Sequence, residues 1–123
     1  MFIAAAVLSA LLAFAALGAG IPKITLKGSV PELLQEHLGV SASLTRLIGV
    51  AEAAAAVGLV AGIFWHPLGI AAAAGLVIVF GGAVVYHGRA GDYADPKARG
   101  GAIGPIVLGL VALAAIATSA LAI

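Results

Sequence analysis

Long apolar runs separated by short polar links set the pattern of this chain, and the length of each run is informative. A bilayer core of about 30 Å needs roughly 20 apolar residues in a helix rising about 1.5 Å per residue. Residues 2–21, 44–64, 67–87 and 102–123 each satisfy that requirement. They predict an all-α fold, an integral membrane four-helix bundle. The second run alone carries charge, with Arg46 and Glu52 in its first half. The first run ends in small residues as a signal peptide does, yet it lacks a Lys/Arg-rich start and is long for such a segment, so it reads as a retained span.

The links sharpen this picture. Trp65-His66-Pro67 reads as a tight turn: proline suits a first helical turn and tryptophan the membrane–water interface, so the second and third spans form an antiparallel hairpin. His66 is then a turn residue. Between the first two spans, Ser29 and Glu32 have the spacing of a capping box, Pro31 suits a first turn and Gly39 a stop. Val30, Leu33, Leu34 and Leu38 fall on one face at helical spacing, which predicts a short amphipathic helix at the interface with His37 packed on its edge. The link from Gly88 to Gly101 mixes charged residues with glycine and Pro96 and reads as a polar, mobile loop.

Composition removes whole classes of function. Hydrophobic residues make up 63% of the chain and charged residues 9%, with mean hydropathy +1.23, far from the roughly one-quarter charged balance of soluble domains. The natural surroundings are therefore a lipid bilayer. The 123 residues suffice for a single membrane domain, residues 1–123. A net charge of +1 and the absence of a basic stripe argue against nucleic acid as a partner. Without cysteine, disulfides, thiol catalysis and iron–sulfur ligation are closed. The three histidines are dispersed without metal-ligand spacing, no second motif supports a bis-histidine haem, and no serine lies in a nucleophile context. No metal and no catalytic residue is therefore assigned, and the chain leans away from being an enzyme.

Every lysine and arginine belongs to the first or third link. By the positive-inside rule both links face the cytoplasm, with both termini, Trp65 and His66 outside, in the inner (plasma) membrane. A carboxylate within a span is costly, about 2.5–3.5 kcal/mol for a charge at the helix centre on insertion scales, so Glu52 must face protein or water. Arg46 is not at a spacing that stacks on Glu52, and the two would meet through a third helix. Lys23, Arg46, Glu52, His87 and Arg89 share one membrane depth and form the expected polar cluster. It is either a site for an anionic headgroup, a quinone carbonyl or a proton path, or an ion-pair lock that orients the helices. Gly58 and Gly62 form a GxxxG that allows close helix approach, within the bundle or in a homo-oligomer.

The segment Arg46-Leu47-Ile48-Gly49-Val50-Ala51-Glu52, continuing through Gly58-Leu59 to Gly62, resembles the second-helix signature of the DoxX-like family of small bacterial membrane proteins. Gly20-Ile21-Pro22-Lys23 is similar to that family's Gly-x-x-Lys, and the stretch from Gly81 to Asp92 to its Ala…His-x-Arg-x-Gly-Asp. The resemblance covers nearly the whole chain and implies a four-helix membrane bundle associated with membrane redox and oxidative-stress systems. It places Lys23, Arg46, Glu52, His87 and Arg89 on the family's polar signature, and Gly49, Gly58 and Gly62 on its packing positions. The family's activity is usually undefined; with Glu52 expected beside matching bases, the expectation is an accessory or ligand-binding component that binds quinone or lipid, or docks a redox protein. No cofactor can be placed, quinone being the one candidate. An assembly factor or chaperone is the alternative, and a small-molecule transporter the second.

Overall fold

A computed structural model describes all of residues 1–123 and contains no strand. Helix α1 spans Phe2–Thr25, α2 Ser29–Glu32, α3 Ala42–Gly62, α4 His66–Arg89 and α5 Arg99–Ala122. The four long helices are each long and apolar enough to cross a membrane. They close a ring in which α1 packs on α3, α3 on α4, α4 on α5 and α5 on α1. Phe2 meets His66 edge-on at 5.9 Å, which fixes the start of α1 beside the α3–α4 turn. All the Lys- and Arg-bearing segments consequently lie at the opposite end of the bundle.

The inside of the ring is narrow and built largely from small residues. Ala13, Ala16, Ala56, Ala73, Ala112 and Ala115 pack with Leu12, Leu59, Leu76 and Phe80. Large apolar side chains point outward instead: Phe14 is 82% exposed and Ile78 76%. That inversion suits lipid, where association of helices depends on close packing rather than on expelling water. Glycines provide the approach. A methyl group at Gly62 would collide with the backbone of Gly69, and one at Gly58 would stand 2.9 Å from Ala72 Cβ, so the GxxxG is spent within the α3–α4 hairpin. At the basic end, a Cβ on Gly49 would lie 2.6 Å from the Gly20 carbonyl oxygen, which brings α1 and α3 into backbone contact beside Lys23.

Span ends and links depart from the sequence expectation in physical detail. Helix α1 runs past Pro22, which forgoes the N–H bond back to Gly18, on to Thr25, and it stops where Leu26 turns left-handed at φ 53°. Helix α3 begins earlier than expected, capped by Ser41 Oγ, which accepts from Leu44 N–H at 3.1 Å. Trp65 precedes α4 and Pro67 sits in its first turn, as the hairpin reading requires.

The expected amphipathic helix between the first two spans does not form as a continuous α-helix. Gly28, at φ 100°, takes the cap position, Ser29 makes no capping bond, and α2 is one turn that runs on as a π-helical turn over Leu33–His37. The chain leaves this segment through Gly39 at φ 71°, so Gly39 does act as the stop. The expected mobile loop after α4 is instead a tied turn. Tyr93 Oη donates to the Ala102 carbonyl at 2.9 Å, Arg99 Nε donates to the Tyr93 carbonyl at 3.0 Å, and Asp92 is 2% exposed.

Candidate functional site

At the basic end the helices separate around a cleft of about 710 Å³. Its walls come from α1, α3, α4 and α5, and the segment carrying Val30, Leu33, Leu34 and Leu38 lies across it. Phe80 of the core closes one wall, so the cleft reaches toward the bundle interior. Nearly all of the lining is apolar. Lys23 and His87 are its charged or readily protonated side chains, with the Tyr86 phenol and Ser29 as the other polar ones.

Each of the two bases is held from behind by a carboxylate. Lys23 Nζ donates to Glu52 Oε1, and Glu52 is fully buried while Lys23 is 9% exposed. The other Glu52 oxygen, Oε2, is buried without a hydrogen-bond partner. Taking a carboxylate into such surroundings is tolerable only because the ammonium neutralises it. The close approach of Gly20 and Gly49 places the two helices near enough for this pair to form.

His87 Nδ1 lies 2.6 Å from Asp92 Oδ2, and His37 Nε2 lies 2.7 Å from Asp92 Oδ1. A carboxylate only accepts, so the geometry assigns a proton to His87 Nδ1 and to His37 Nε2. Hydrogen bonds from His37 and then from His87 hold the Asp92 carboxyl below the usual aspartate range. The turn that returns Asp92 to His87 passes through Gly91 at φ 75°, a conformation that glycine adopts without steric cost. Tyr93 packs edge-on to the His87 ring at 6.3 Å, and burial, with the nearby Asp92 charge, pushes its phenol up. The outcome is a chain of contacts from His37, whose side chain is 43% exposed, through Asp92 to His87 at the cleft. His87 Nε2 has no protein partner and remains available there.

The structure thus divides the cluster expected from the sequence. Lys23 and Glu52 pair directly, and His87 shares the cleft with Lys23. Arg46 and Arg89 are exposed, make no ion pair and do not line the cleft. Membrane depth was legible from position along a helix, but direction around the helix was not: Arg46 and Arg89 lie at the right level and face outward. Two residues outside the expected cluster belong to the arrangement. Asp92 read as a solvated loop residue, and His37 as an interfacial packing residue. The available signal was the pairing of Asp92 with His87 one glycine-containing turn away.

No curated protein and no solved structure matches the sequence. A model of the DoxX-like family matches residues 7–115, from the first turns of α1 into the second half of α5. It takes in Lys23, Glu52, His87 and Asp92 with all the helices that carry them. Together with four membrane-length apolar helices, this means that the chain belongs to the DoxX-like family of membrane proteins.

Proposed function

We propose that this chain is an accessory membrane component that holds an amphipathic ligand, of quinone or lipid type, in the cleft between its helices. The observation that carries the reading is an apolar cleft of about 710 Å³ in which two bases, Lys23 and His87, are each braced by a buried carboxylate. Ligand sites are typically concave and apolar with few, well-oriented polar groups. Bracing from behind limits the conformations of both side chains before any ligand arrives, which reduces the ordering cost of binding. The setting in a membrane redox or stress-response system rests on family likeness; a redox-protein partner would dock at the cytoplasmic end, where Arg46 and Arg89 are free. Inner-membrane location with both termini outside follows from the positive-inside rule.

An assembly role would act through the GxxxG and the loop around Asp92 to Arg99, and the first of these surfaces is taken up against α4 within the chain. A transporter reading gains no support from α3 and α4, which run unbroken through their middle turns. The test is to purify the chain in mild detergent and identify co-purifying quinones, lipids and proteins by mass spectrometry, beside a Gly82→Leu variant. Gly82 lines the cleft and an added side chain there meets no neighbour, so leucine should fill the space. A small molecule retained by the native chain and lost from the variant is the expected result. An identical set of molecules on both proteins refutes the cleft as the site.

A further inference from the structure

We infer that the cleft selects an amphiphile whose oxygen-bearing head is uncharged, and that it discriminates against phosphate-headed lipids. The inference rests on the cleft being a ligand site, as proposed above, and adds the charge class of the ligand.

The argument is one of charge already spent. An anionic head in an apolar cleft needs a cation that is not otherwise neutralised. The chain has six Lys and Arg residues, and only Lys23 lines the cleft. Its ammonium is committed to Glu52, which is fully buried, has a second oxygen without any partner and does not itself line the cleft. Drawing Lys23 over to a phosphate would leave that carboxylate uncompensated inside the bundle, which is among the more expensive changes a buried pair can undergo. His87 offers no surplus either: with His37 neutral on the other carboxylate oxygen, even a protonated His87 imidazole would be matched by Asp92 at 2.6 Å. Lys27, Arg46, Arg89, Lys97 and Arg99, the bases free of carboxylate partners, all lie outside the cleft.

A cationic head fares no better. The carboxylates that could attract it, Glu52 and Asp92, sit behind Lys23 and His87 and are absent from the lining. What the cleft does present is hydrogen-bonding capacity without net charge. Lys23 Nζ has further N–H groups after bonding Glu52, and these suit a carbonyl or hydroxyl oxygen. With a proton on Nδ1, neutral His87 turns an accepting Nε2 toward the cleft, and this suits a hydroxyl. The apolar residues of α4, α5 and the overlying segment then surround the hydrocarbon part.

Three probes with matched ten-carbon chains test this: monodecanoylglycerol, decyl phosphate and decyltrimethylammonium, titrated calorimetrically into the purified chain in a nonionic detergent, with empty micelles subtracted. Monodecanoylglycerol should bind saturably and more tightly than either charged probe by about tenfold or more, the penalty for disturbing a buried pair. Gly82→Leu and Gly104→Leu, on different helices at cleft-lining positions where an added Cβ meets no neighbour, should both abolish that binding. Decyl phosphate or decyltrimethylammonium binding as tightly as the neutral probe, and lost in the filled variants, overturns the charge selection while leaving a ligand cleft. Absence of saturable binding for all three, or binding unaffected by filling, overturns the cleft and the selection together. The order of affinities in the unmodified chain decides the charge question even where a filled variant fails to fold.

Discussion

Lys23 and Glu52 show what a membrane interior asks of single residues. A fully buried carboxylate next to one ammonium is stable only as a pair, and its stability is best measured by removing the partners separately and together. Lys23→Met should destabilise the bundle by about 3–5 kcal/mol, since it leaves Glu52 uncompensated. Adding Glu52→Leu to that variant should recover most of the loss, whereas Arg46→Ala, at an exposed and unpaired position, should change stability by less than about 0.5 kcal/mol. Reversible unfolding in mixed micelles measures all three, and a double variant no more stable than the single would refute the pairing argument. Asp92 carries a pH dependence of definite sign. Its carboxyl titrates lower in the folded chain than free, so its contribution is complete above the ordinary aspartate value of about 4 and is lost as pH falls through the lower folded value. Thermal melts from about pH 7 down to about pH 3 should therefore show a steeper acid decline for the native chain than for Asp92→Asn. Of these residues, Glu52 was legible in the sequence because a charge inside a span demands a partner, and Lys23 because it lay at the matching depth. Asp92 was less so: its place one glycine-containing turn after His87 was the only signal, and the polar composition of the link outweighed it.

At the scale of elements, the four spans were legible because length and apolarity alone determine what can cross a bilayer. The link across the cleft was less so. Its apolar positions fit an α-helical face, but Gly28 and Gly39 both adopt positive φ and bracket a single α-turn that widens into a π-turn, a local geometry to which hydrophobic spacing is blind. Its one side-chain hydrogen bond to the rest of the bundle is His37 to Asp92; the Gln35 bond returns to Pro31 within the link itself. Packing of Leu33, Leu34 and Leu38 at the cleft supplies the remaining hold. His37→Ala should accordingly raise amide hydrogen exchange across residues 29–40 while the middle turns of α3 and α4 remain protected. Equal exchange in native and variant chains would show that apolar packing alone secures the segment.

Seen as a whole, the molecule has one chemical axis. The end bearing Trp65, His66 and both termini lacks lysine and arginine, while the other end collects all six, the cleft and both carboxylate-braced bases. Because moving lysine and arginine across a membrane during insertion is disfavoured, that asymmetry predicts which way the bundle points. The absence of native cysteine makes the direction measurable with single introduced thiols. Lys97→Cys, on the exposed turn before α5, should react with a membrane-impermeant maleimide only after intact cells are permeabilised. Trp65→Cys, 63% exposed at the α3–α4 turn, should react in intact cells. The reverse labelling pattern would place the cleft mouth on the outer side, and any soluble partner of Arg46 and Arg89 would then have to be extracytoplasmic. With the expected pattern, the polar end of the cleft lies at the cytoplasmic leaflet, so a ligand would enter from that leaflet or from between the helices rather than from outside.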